Sequence, residues 1–94
     1  MNLEIIDMRK TCGACPSQWE GHLKDGRMFY IRYRGGRLSL AVSEFPTDNV
    51  YDAVGGTLIY RGKIGDDLDG VIGYNQVKAI LELNNVFLVG GESE

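Results

Sequence analysis

Two glycine dipeptides, Asp25-Gly26 and Gly35-Gly36, punctuate the alternating stretch that runs from Trp19 to Ser43. Tight hairpin turns demand positive φ, which glycine adopts at no steric cost, so both dipeptides mark reversals between antiparallel strands. The stretch, about residues 18–43, reads as a three-stranded antiparallel meander.

Burial sets its register. A two-residue Gly35-Gly36 loop pairs Arg34 with Arg37, Tyr33 with Leu38, Ile31 with Leu40 and Phe29 with Val42. All the apolar pairs then share one face, as a half-buried sheet requires. A two-residue Asp25-Gly26 loop would put Glu20 and His22 on that apolar face. A three-residue Lys24-Asp25-Gly26 loop, with Gly26 left-handed as a bulge, slips the register by one. Trp19 then faces Ile31, Gly21 faces Phe29 and Leu23 faces Arg27, and this bulged form is the one the apolar pattern selects. The inner face carries Trp19, Leu23, Phe29, Ile31, Tyr33, Leu38, Leu40 and Val42. The outer face carries Glu20, His22, Met28, Tyr30, Arg32, Arg34, Arg37 and Ser39.

Around the meander, Leu3 to Met8 reads as a first strand, and Cys12-Gly-Ala-Cys15-Pro16 as a turn. The chain breaks at Phe45-Pro46. Thr47 then caps a short helix over about residues 48–54, with Asp48 in its first turn, Val50 and Val54 as its buried stripe, and Gly55-Gly56 as its stop. Thr57 to Ile64 is rich in β-formers and reads as a strand. A second helix spans about residues 75–83, capped by Asn75, with Val77, Ile80, Leu81 and Asn84 on one face and Asn84-Asn85 at its end. Val86 to Val89 reads as a last strand and residues 90–94 as a frayed tail. The expected fold class is α+β: an antiparallel sheet of five or six short strands with two helices, packed against the inner face. At 94 residues the chain suits a single domain over residues 1–94.

Composition excludes some functions. The net charge of −3 argues against a nucleic-acid polycation. The charge is uneven, however. Residues 27–37 hold four arginines and no acid, whereas Asp66, Asp67 and Asp69 cluster later. A basic patch on an acidic body suits a specific anion or an acidic partner. No apolar run approaches membrane-spanning length and no signal segment opens the chain, so a soluble, cytoplasmic protein without a membrane partner is expected.

Cys12 and Cys15 form a C-x-x-C turn, half of a zinc knuckle. His22 is the only histidine, so the metal reading is Cys12, Cys15 and His22 with an aspartate holding zinc in one chain, or two chains each giving a pair of ligands. A redox reading needs a thiolate at a helix N-terminus in a βαβ context. Two reduced cysteines in a tight turn are the plain alternative, and on that reading the chain has no cofactor. The Asp66–Gly70 run fails as an EF-hand, because aligning Gly70 at the sixth position puts Gln76 where a glutamate belongs. No nucleophile–base pair, Walker loop or dinucleotide fingerprint appears, so the sequence points away from an enzyme without excluding one.

The outer-face residues Met28, Tyr30, Arg32 and Arg34, with Arg37 at the tip, match the composition of protein interfaces, unless the second helix covers this face and makes Met28 and Tyr30 core. Tyrosine and arginine on a sheet also suit nucleotides or single-stranded nucleic acid. Arg34 opposite Arg37 reads either as a solubilising hairpin end or as an anion site.

The segments Cys15-Pro-Ser-Gln-Trp-Glu-Gly21, Asp25-Gly-Arg27, Tyr30-Ile-Arg-Tyr-Arg34 and Gly36-Arg-Leu-Ser39 resemble a signature shared by small proteins of bacteria and their phages, to which no activity is attached. The resemblance covers about residues 12–43 and implies a compact accessory protein of a bacterial cell or a phage-infected host. The expectation is a non-catalytic binding module, a phage-encoded accessory or inhibitor, acting on a protein partner through the exposed sheet face and basic hairpin tip. Alternatives are a nucleotide or single-stranded nucleic-acid binder on the same face, and a zinc or redox protein centred on the C-x-x-C turn. The need to cover the edge strands of a small open sheet allows a homodimer.

Overall fold

A computed structural model describes residues 2–12, 17–65 and 72–92. The strands are β1 (Leu3–Cys12), β2 (Ser17–Leu23), β3 (Arg27–Arg34), β4 (Arg37–Pro46), β5 (Thr57–Lys63) and β6 (Val86–Glu92); the helices are α1 (Val50–Val54) and α2 (Tyr74–Leu83). The six strands form one curled sheet in the order β5-β4-β3-β2-β1-β6. The fold is α+β, as the sequence predicts, with one correction: β6 runs parallel to β1, and only the other neighbouring pairs are antiparallel. The parallel pair arises because the chain leaves the β5 edge, passes through α2 and returns at the opposite edge, a crossover that no hairpin could make.

The meander has the predicted register. Trp19 faces Ile31 and Gly21 faces Phe29 across β2 and β3, while Phe29, Ile31, Tyr33 and Arg34 face Val42, Leu40, Leu38 and Arg37. Gly26, Gly35 and Gly36 have φ of 93°, 60° and 74°. Those angles lie in the left-handed region that a bulged loop and a two-residue hairpin turn require. Every predicted inner-face residue is buried. Ile5 and Met8 of β1, Ile72, and Tyr74, Val77 and Leu81 of α2 join them in one hydrophobic core, with Val86 of β6. Val77, Leu81 and Tyr74 lie three to four residues apart, the stripe of an amphipathic helix. Buried Ser17 Oγ accepts a 3.3 Å bond from the Ile72 N–H and ties the entry of α2 to β2.

Other expectations need correction. The strand β4 runs through Phe45-Pro46 to pair Pro46 with Arg27, since the end of a strand tolerates a residue without an N–H. β1 extends to Cys12 and β6 to Glu92, beyond the expected strand ends. Helix α2 is capped by Gly73, not Asn75, and starts at Tyr74. Helix α1 starts at Val50 because Asn49 accepts a hydrogen bond from the Tyr51 N–H. Thr47 instead accepts from the Asn49 N–H and donates to Asp52.

The larger correction concerns what α1 covers. It packs on β3 and β4, but Ala53 is its buried residue and Val54 is 51% exposed. Met28, on the outer face, is buried as well. Neither Ala53 nor Met28 belongs to the core formed by the inner face. The short helix therefore caps the outer side of the sheet at Met28, where a small alanine allows close approach.

Candidate functional site

With strand β5 paired to β4, the outer face becomes a grid. One rung runs Gln18–Arg32–Ser39–Arg61, the next toward the hairpin tip runs Arg34–Arg37–Lys63, and the next in the other direction runs Glu20–Tyr30–Ala41–Leu58. Neighbouring rungs on one face lie two residues apart, about 6.8 Å, and strands about 4.8 Å apart. The arginines at this end of the sheet thus converge on a single patch. Arg32, Arg34, Gly35, Arg37, Ser39, Leu58 and Arg61 line an open cleft of about 470 Å³.

Among the described residues, the cleft is lined by four guanidinium groups and no carboxylate. The described ion pairs lie elsewhere: Arg9 with Asp7 and Glu20, Lys24 with Glu4, and Arg27 with Asp25. None of the four cleft arginines has an ion-pair partner among the described residues. Arg32 Nε is buried without a hydrogen-bond acceptor, a donor left unmatched at the floor of a cationic site. Such a group is expensive to leave unpaired. Arginine presents its donors in a rigid planar fork that matches carboxylate or phosphate oxygens two at a time.

Of the residues singled out from sequence, Arg32, Arg34 and Arg37 come together in the cleft. Tyr30 lies on the same face, half-buried, one rung from Arg32. Met28 does not belong to an exposed surface: it is 1% exposed beneath α1, and this corrects its expected role. Arg61 carries no sequence mark of this site, because β4 and β5 are joined through α1 and no tight hairpin fixes their register.

Of the expected metal set of Cys12, Cys15 and His22, the structure describes the backbone of Cys12 and the whole of His22. Cys12 pairs with Gln18 and His22 with Asp7, which separates Cys12 from His22 by four strand residues, about 13 Å. His22 is otherwise engaged. Its Nδ1 lies 3.1 Å from Asp7 Oδ2 and its Nε2 2.8 Å from Asp48 Oδ1, and its backbone N–H donates to Asp7 Oδ1. Cys15, like the acidic run of Asp66, Asp67 and Asp69, lies outside the described residues, as does the Cys12 side chain. No group of three metal-ligating side chains occurs among the described residues.

No described helix is long and apolar enough to cross a membrane. Comparison of the chain with family models, curated proteins and solved structures finds no match. The chemistry of the outer face is therefore the ground on which function is argued.

Proposed function

We propose that this protein is a non-catalytic binding module that takes an acidic protein partner on the outer face of its sheet. The observation that carries this reading is the cleft of Arg32, Arg34, Arg37 and Arg61, which no carboxylate of the described residues lines. Arginine is enriched at interface anchors, and Leu58 adds apolar area at the cleft wall. A net charge of −3 on the whole chain favours a partner that docks on this patch and is repelled elsewhere.

The test is fluorescence anisotropy with a labelled oligoglutamate peptide at physiological salt. The wild type binds, added salt weakens the binding, and the Arg34→Glu/Arg37→Glu variant loses it by about tenfold or more. Equal affinity of wild type and variant sinks the placement.

A second reading rests on Tyr30, one rung from Arg32 on the same face. A half-buried tyrosine beside arginines suits base stacking with phosphate clamping, the chemistry of a nucleotide or single-stranded nucleic-acid site. Tighter binding of a labelled oligothymidylate than of oligoglutamate selects it. The zinc reading rests on Cys12, Cys15 and His22, and elemental analysis of protein purified without chelator decides it; thiol titration with and without reductant decides the redox reading of Cys12 and Cys15.

A further inference from the structure

We infer that the partner is bound as an extended acidic strand added to the outer edge of β5; this rests on the reading of the outer face as a site for an acidic partner. The strand β5 closes the sheet order on one side, pairing with β4 and with no other described strand. An edge strand is a template for another chain's backbone. From Tyr60 to Lys63 its register with β4 is regular, and the irregularity falls between the Leu40–Tyr60 and Ala41–Leu58 pairs, at Ile59. Beyond it Leu58 and Ile59 are 54% and 41% exposed.

Charge determines which strand fits. Arg61 and Lys63 point to the outer face two residues apart, the same interval that separates Arg32 from Arg34. A second copy pairing β5 with β5 along Tyr60–Lys63 would set Arg61 and Lys63 of one chain against the same two of the other. Like charges opposed across strands destabilise the pair. An acidic strand meets the opposite condition. Its alternate side chains project onto the same face at the same interval of about 6.8 Å, so two acids separated by one residue reach the rungs of Arg61 and Lys63. From there their carboxylates border the cleft that holds Arg32, Arg34 and Arg37. An apolar residue further along the added strand meets exposed Leu58. The ligand is thus an extended segment with the pattern acid–any–acid and an apolar residue on the Leu58 side.

The experiment compares two labelled peptides by anisotropy. The first is Thr-Glu-Thr-Glu-Thr-Val-Thr-Val, which in antiparallel pairing, the more stable kind, sets its glutamates at Lys63 and Arg61 and its first valine at Leu58. The second replaces the threonine between the glutamates by proline, which keeps the charge but removes a ladder N–H. The expected result is binding of the first, about tenfold or more weaker binding of the second, and a similar loss for the first peptide on Arg61→Glu. Arg61 is exposed, and an unchanged thermal melt shows that the variant is folded. Equal binding of both peptides overturns strand addition while leaving the cationic cleft intact. Binding of oligoglutamate with neither peptide bound also overturns strand addition alone. Failure of all three acidic peptides overturns the underlying reading as well, as does preference for oligothymidylate over every peptide.

Discussion

His22 Nε2 stands 2.8 Å from Asp48 Oδ1, a contact that fastens the segment entering α1 to the outer face of β2. On its other side the same ring meets Asp7, whose second oxygen accepts the His22 backbone N–H at 3.0 Å. The two carboxylates are not equivalent. Asp48 has 97% of its side chain exposed and Asp7 43%, so solvent screens the first contact more. Asp48→Ala is expected to cost about 0.5 kcal/mol, and Asp7→Ala about 1–2 kcal/mol because a part-buried backbone donor loses its acceptor. Urea denaturation of both variants measures the order, and a larger loss for Asp48→Ala contradicts it.

Ser43 is buried, accepts the Met28 N–H at 3.0 Å and donates to the Phe45 carbonyl at 2.8 Å. The β3–β4 ladder is irregular between Arg27 and Phe29, and the hydroxyl takes the place of the ladder acceptor there. Ser43→Ala leaves a buried N–H unmatched, with an expected loss of about 1–3 kcal/mol. Val, similar in shape to Thr and also lacking an acceptor, is expected to be no better. A loss below about 0.5 kcal/mol for Ser43→Ala in chemical denaturation counts against this role.

Gly21 lies where β2 passes Asp7, and a Cβ built there overlaps the Asp7 carbonyl. The obstacle is backbone, which cannot swing aside. Gly21→Ala is therefore expected to destabilise by about 2–4 kcal/mol, well above the ordinary effect of a glycine-to-alanine change in a strand. At Gly73, by contrast, an added Cβ meets nothing within 4 Å. Thermal unfolding of Gly21→Ala and Gly73→Ala side by side should separate them clearly.

At Asp25, the small loss of hydration pushes the carboxyl up. The Arg27 backbone N–H, guanidinium and positive charge more than offset this, and the group titrates below its ordinary value of 3.8. A folded value below the unfolded one means that the stabilisation is complete above about pH 4 and fades as pH falls through the lower, folded value. The group is largely solvated, so the effect is on the order of a few tenths of a kcal/mol. Wild type is expected to exceed Asp25→Asn in urea midpoint at pH 7, with the gap closing below pH 3.8. A gap that stays constant into acid shows that the charge is not its source.

The meander was legible because its information is local. Glycines at residues 26, 35 and 36 fix the turns, and a one-residue slip would expose Trp19 or Phe29, so the pattern admits one register. The fate of Met28 was not legible. Its strand position predicts an outward side chain, and only the return of residues 50–54 across β3 and β4 buries it. The parallel β1–β6 pair was hidden for a similar reason, since Val86 carries no mark of the strand it will join more than eighty residues back. The cleft was half visible. Arg32, Arg34 and Arg37 sit on one hairpin, whereas Arg61 reaches them through a β4–β5 register set by tertiary pairing and an irregularity at Ile59.

Arg34 and Arg37 face each other across the last rung before the Gly35-Gly36 turn, and no carboxylate of the described residues lines the cleft they share. Stability and binding should therefore respond in opposite directions to one change. Arg37→Glu replaces a repulsive cross-strand pair by an attractive one, worth about 0.2–1 kcal/mol of added stability. The same change removes a cation from the cleft and adds an anion, so affinity for oligoglutamate should fall by about tenfold or more. Salt provides the internal control. It weakens repulsion between exposed arginines in the wild type and attraction in the variant, so the stability gap between the two should narrow as salt rises. A variant that loses both stability and binding would show that Arg37 supports the hairpin rather than waiting on it for an anion. One that gains stability at no cost to binding would place the partner elsewhere on the molecule.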